Sequence, residues 1–121
     1  MTDRKKKTEA GRRGRGKDPL ATKLDQMIDE AIMDAYGDSE QTVGFYTILE
    51  ENLEVPFRTQ VLGLEVTVER IDLTDDDQIV AVCSRGKARQ RVPILDLPLP
   101  SPQPEGADWI EAFRRWARGG R

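Results

Sequence analysis

Leu20, Leu24, Ile28, Ala31, Ile32 and Ala35 recur at intervals of three and four and share one face, while Asp25, Asp29, Glu30 and Asp34 fall largely elsewhere. That period predicts an amphipathic helix over residues 20–36. Asp18 suits its N-cap, Pro19 its first turn, and Gly37 the left-handed stop beyond it. A second helix is expected at once, since Asp38 or Ser39 can cap it and Gln41 follows Asp38 at capping-box spacing. Its apolar set is Val43, Tyr46, Ile48, Leu49 and Leu53, with Phe45 on a flank. A glycine inside a helix costs roughly 1 kcal/mol relative to alanine, so Gly44 points to close packing against another backbone. Pro56 ends this helix, because the residue before a proline is pushed out of the helical region.

From Phe57 the period changes to two. Phe57, Thr59 and Val61 alternate with Arg58, Gln60 and Leu62, then Gly63 punctuates. Leu64, Val66 and Val68 alternate with Glu65, Thr67 and Glu69, the mark of a half-buried antiparallel strand. Thr74 to Asp77 reads as a turn. Gln78 to Ser84 is a third strand whose continuous apolar run suggests a central position, with Cys83 as a small core residue. Arg85, Gly86 and Lys87 make a hairpin turn, and Arg89 to Leu95 returns as a fourth strand that Pro93 demotes to an edge. Residues 96–106 hold four of the seven prolines and form a semi-rigid connector. A last helix over residues 107–118 places Trp109, Ile110, Phe113, Trp116 and Ala117 on one stripe, with Arg114, Arg115 and Arg118 at the end where cations suit the macrodipole. The fold class is α+β: two N-terminal helices, a small twisted four-stranded antiparallel sheet expected to be barrel-like, and a C-terminal helix.

Charge divides the chain in two. Residues 1–18 carry eight basic residues against three acidic, whereas residues 19–121 carry eleven against nineteen. The first stretch has no large apolar residue after Met1, so a disordered basic arm is expected there, ahead of a single domain over residues 19–121. No apolar run reaches the roughly 18 residues that span a bilayer, and no secretory signal fits the polar N-terminus. No membrane partner and a cytoplasmic location are expected.

Histidine is absent and cysteine occurs once, which excludes Ser-His-Asp and Cys-His catalysis and any zinc site of ordinary composition. Oxygen ligands remain, and these select hard cations such as calcium or magnesium. Carboxylates gather in three places: Asp34, Asp38 and Glu40 at the first helix junction; Glu50, Glu51 and Glu54 at the end of the second helix; and Asp75, Asp76 and Asp77, with Asp72 nearby, in the turn. Taken singly, each has a plain structural account as a cap, a solvated helix face or a polar hairpin tip. The aspartate triplet does not make an EF-hand loop: counted from Asp72, the sixth position is not glycine and the twelfth is Cys83. No phosphate-cradling loop occurs, and no enzyme is expected.

The segment from Asp34 to Phe57 resembles the CcbP-type bacterial calcium-binding family. The resemblance rests on Asp34-Ala35-Tyr36, Asp38, Glu40, Gly44-Phe45-Tyr46, Leu49-Glu50 and Pro56-Phe57, and on Val92-Pro93-Ile94-Leu95 followed by Trp109. It implies calcium held by surface carboxylates without an EF-hand, and by position it points to Asp34, Asp38, Glu40, Glu50 and Glu51 as metal ligands. The sequence departs from the pattern at Gln41 and Thr42, in its arginine-rich arm, and in the basic hairpin Arg85, Lys87, Arg89 and Arg91. The expected function is calcium buffering or sensing. The alternative is a nucleic-acid or protein adaptor that makes weak contacts through residues 1–18.

Overall fold

A computed structural model describes residues 18–119, so the basic arm expected over residues 1–18 lies outside the described residues apart from Asp18. Asp18 caps the first helix, α1 (Pro19–Ile32), accepting the Leu20 N–H at 3.0 Å. The helix ends at Ile32 and not at Tyr36. Its last turn contains Asp29 and Glu30 and no basic residue, so negative charge faces the negative pole of the dipole. Ala35 N–H closes a turn onto the Ile32 carbonyl at 3.0 Å, and Asp34 adopts a left-handed φ of 65°, which aspartate tolerates better than most residues.

The second helix, α2 (Asp38–Asn52), is capped by Gly37 and not by Asp38 or Ser39. The expected pairing of Asp38 with Gln41 gives way to other partners. Glu40 Oε1 accepts the Tyr36 N–H at 3.0 Å, and Gln41 Oε1 accepts the Trp116 Nε1–H at 3.1 Å. The buried face also differs from the expected one: Phe45 is 0% exposed and Val43 is 39% exposed. Gly44 sets this rotation. A Cβ there would lie 2.3 Å from the Ala31 carbonyl oxygen, so α2 touches α1 backbone to backbone. Phe45 then points into the core, with ring centroids 5.2 Å from Phe113 and 5.4 Å from Trp116.

Four antiparallel strands follow in the order β1 (Phe57–Val61), β2 (Leu64–Leu73), β3 (Ile79–Arg85) and β4 (Ala88–Pro93). The sheet is open, which corrects the barrel-like expectation: β1 and β4 do not pair, and four short strands are too few to close around side chains. The edges are managed in other ways. Thr59 Oγ1–H bonds the Pro98 carbonyl at 2.7 Å, tying the proline-rich connector to β1, and β4 carries Arg89, Arg91 and Pro93. The run Ile79 to Cys83 is buried throughout, as its sequence indicates, and burial pushes the free Cys83 thiol above its ordinary pKa. Val66, Val68, Ile71, Ala81 and Cys83 meet Leu24, Ile28, Phe45, Leu49, Ile110 and Phe113 in one core.

A 3-10 turn, Ile94–Asp96, leads into the connector, and α3 (Ala107–Ala117) closes the molecule. Arg114 does more than complement a dipole. It is 15% exposed and donates to the carbonyls of Ile94, at 3.0 Å from Nη2, and Leu97, fastening the connector to α3. Gly106 caps α3 with a φ of 86°, and a Cβ there would lie 2.2 Å from the Asn52 carbonyl oxygen. Among the described residues, no helix is long and apolar enough to cross a membrane.

Gly44→Ala gains about 1 kcal/mol of helix propensity, but overpacking costs about 1–3 kcal/mol, and a backbone carbonyl cannot swing aside as a side chain does. Net destabilisation and a lower urea midpoint are expected. An unchanged midpoint would show that the two helices can separate freely.

Candidate metal-binding site

The three carboxylate groups are redistributed by the fold. Asp34 lies in the loop between α1 and α2, two residues past the end of α1 and not in its last turn. Asp38 and Glu40 occupy the first turn of α2, where the N-terminal pole of the dipole favours their charge. Ser39, between them, donates to Asp77 Oδ2 at 2.6 Å. That bond ties the helix junction to the β2–β3 hairpin tip, so two groups that are far apart in sequence form one acidic end of the molecule.

The tip has its own order. Thr74 N–H bonds the Gln78 carbonyl at 2.9 Å, Asp77 N–H bonds the Thr74 carbonyl at 3.0 Å, and Gln78 N–H bonds Thr74 Oγ1 at 3.0 Å. Asp77 takes a left-handed φ of 64°. The segment from Asp72 to Cys83 is strand, turn and strand.

Glu50 and Glu51 lie at the other end of α2, roughly 18 Å from Asp38 at 1.5 Å per residue. They do not share a site with Asp34, Asp38 and Glu40, nor do they face the same way as each other. Glu50 Oε2 accepts the Tyr46 hydroxyl at 3.0 Å. Burial first, then this bond, then the charges of Glu50 and Asp72 raise the Tyr46 pKa above its ordinary value, with Arg70 opposing. Glu51 instead borders an open recess of about 350 Å³ with Glu54, Glu105 and Asp108. Glu54 and Glu105 are joined by two bonds, Glu54 N–H to the Glu105 carbonyl at 2.8 Å and Glu105 N–H to Glu54 Oε1 at 3.2 Å, and Asp108 pairs with Lys23 at 3.0 Å.

Sequence reading missed the Ser39–Asp77 tie and the arrival of Glu105 and Asp108 beside Glu51. The aspartate triplet is a visible signal for the first. Nothing in the local pattern announces the second, because thirteen residues, 94–106, separate the last strand from α3. Part of the basic hairpin is neutralised: Arg89 pairs with Glu69 and Arg91 with Asp72, both at 3.4 Å.

Oxygen donors of this kind fit calcium by chemistry. Among the described residues, no three Asp, Glu or Cys side chains converge on one point as in a preformed cage. The arrangement is therefore an open α+β scaffold with exposed carboxylates at its ends, a class of surface suited to hard cations. The calcium-binding family of CcbP type, described as calcium binding, matches residues 25–117, and the chain belongs to it. A solved structure of a calcium-binding protein in its calcium-binding form shares the fold, with a TM-score of 0.62 and 18% sequence identity over 84% of this chain and 97% of that one. Comparison with curated proteins gives no match.

Two measurements probe this geometry. Ser39→Ala is expected to cost about 0.5–1.5 kcal/mol, the net worth of one hydrogen bond, and to speed amide exchange at Asp77 and Gln78; unchanged exchange there would show that the tip holds itself. For Tyr46, the unfolded chain loses its phenolic proton first. Stability is therefore whole below the ordinary value of 10.0 and falls as pH rises above it. Absorbance titration at alkaline pH is expected to show a late-ionising tyrosine that Tyr46→Phe removes.

Proposed function

We propose that this chain binds calcium through exposed carboxylates, without an EF-hand, as a non-enzymatic buffer or sensor of modest affinity. The observation that carries this reading is the family match over residues 25–117, which contains every candidate ligand. Asp34, Asp38 and Glu40 would act at the α1–α2 junction, where Ser39 brings Asp77 alongside. Glu50 and Glu51 would act separately at the far end of α2. The strand–turn–strand conformation of Asp72 to Cys83 supports the absence of an EF-hand loop, which needs a helix on each side.

The chemistry asked of these residues is simple. Exposed carboxylates at one end repel each other, and a divalent cation relieves that repulsion while drawing the side chains together. The cost is the rotamer freedom of each side chain that becomes fixed. Without a preformed cage, affinity is expected at the weak end of protein calcium sites, on the order of 10⁻⁴ to 10⁻³ M.

Calorimetry with calcium and with magnesium, joined to amide NMR, tests the reading. Calcium should shift Asp34, Asp38, Glu40 and their neighbours, and Asp38→Asn or Glu40→Gln should weaken binding about tenfold, equivalent to ~1.4 kcal/mol. Glu50→Gln with Glu51→Gln should leave the junction shifts in place. If none of the junction amides responds at millimolar calcium, the reading fails.

A further inference from the structure

The end of the sheet opposite the acidic end has the reverse character. Val61 pairs with Leu64 and Arg85 with Ala88, while Thr67 stands across from Ser84. This register places the β1–β2 and β3–β4 turns together, one strand length away from the β2–β3 tip. The first turn is Leu62-Gly63, with φ of 53° and 79°. Two-residue turns with both φ positive ordinarily take Asn-Gly, because a branched or bulky side chain is strained there. Here the first position is a leucine that is 97% exposed. Burial does not account for it.

Beside this turn the apolar face of the sheet outruns the helices that cover it elsewhere. Leu64 is the inward position two residues before the buried Val66, yet it is 52% exposed. Val66 and Cys83 are part of a recess of about 240 Å³, with Leu64 and Ala88 alongside and Arg85 and Arg89 among the lining. The surrounding charge is net positive. Arg58 and Arg89 have partners in Glu65 and Glu69, at 4.0 and 3.4 Å. Arg85, the last residue of β3, and Lys87, in the β3–β4 turn, are exposed and form no ion pair among the described residues.

We propose that this end of the sheet docks an acidic, apolar peptide segment of a partner protein. One or two apolar side chains of the segment enter the recess against Leu62 and Leu64, and its flanking carboxylates meet Arg85, Lys87 and Arg89. The β4 edge runs along the recess with Ala88 to Arg91 exposed, and an edge strand offers backbone groups to an extended peptide. A flat anionic lipid surface would reach Leu62 at the tip but leave the concave floor uncovered. A second copy presenting its acidic end would make a head-to-tail contact, which does not close and chains molecules without limit. A peptide segment fits both the concavity and the charge.

The test uses the full chain labelled for amide NMR and a pool of hexapeptides, Asp-Glu-X-X-Glu-Asp, with X drawn from Leu, Ile, Val, Phe and Met. Shifts are expected at Leu62, Leu64, Ala88 and Gln90, weakening as salt rises. Arg85→Glu with Lys87→Glu, and separately Leu62→Ser, should each reduce affinity at least tenfold. These positions are exposed, so the variants keep the fold, and their calcium response at the acidic end is read in the same spectra. Failure here is thereby kept apart from failure of the calcium reading. Four results overturn the proposal: no shifts at these residues with the pool; equal binding of a pool flanked by lysines; binding of phosphatidylserine vesicles where the acidic pool does not bind; or concentration-dependent self-association that shifts the same residues without peptide.

Discussion

Helix α2 can lie where it does because residue 44 has no side chain. With the Ala31 carbonyl oxygen 2.3 Å from where a Cβ would stand, α1 and α2 meet at backbone distance, and this fixes the height and rotation of α2. The other anchors of α2 depend on that placement. Phe45 reaches Phe113 and Trp116, Gln41 receives the Trp116 indole N–H, Ser39 reaches Asp77, and the Asn52 carbonyl takes Gly106 against it. A helix moved outward by one methyl group would strain several of these contacts together, because packed interiors have little slack.

The same helix distributes the negative charge. Asp38 and Glu40 are at its positive pole, where the dipole stabilises them by about 0.3–1 kcal/mol each. Glu50 and Glu51 are at its negative pole, with Glu54, Glu105 and Asp108 near Glu51. The two ends therefore differ in what a cation would relieve. At the junction it relieves carboxylate–carboxylate repulsion alone. At the far end it relieves that repulsion and the unfavourable dipole as well, though Lys23 already offsets Asp108.

Much of the fold is legible in the sequence because period and punctuation agree. The change from helical spacing to alternation at Phe57, the Gly63 and Gly86 turns, and the apolar run of β3 each reappear in the structure. Gly44 is legible as a close contact because a helix tolerates glycine poorly without one. The end of α1 is not, since Ala35 and Tyr36 continue the apolar spacing while the electrostatics of the last turn work against the helix. The buried face of α2 is also hidden: Val43 and Phe45 are both apolar, and tertiary contact with Ala31 decides between them. Of the candidate site, the residue types are legible and the grouping is not. Spacing along one helix shows that Asp38 and Glu50 stand far apart, but only the packing of the hairpin tip against α2 brings Asp77 to Ser39.

That return bears on what calcium could do under the proposed reading. A sensor needs an element with two arrangements whose balance the ion shifts. The junction offers little of this kind. Its helix is locked at Gly44, its hairpin is held by the bonds of Thr74, and Ser39 ties the two together. An ion at this end has side chains to gather but no helix pair to open. Under that reading, calcium bound at this end would change surface charge more than shape.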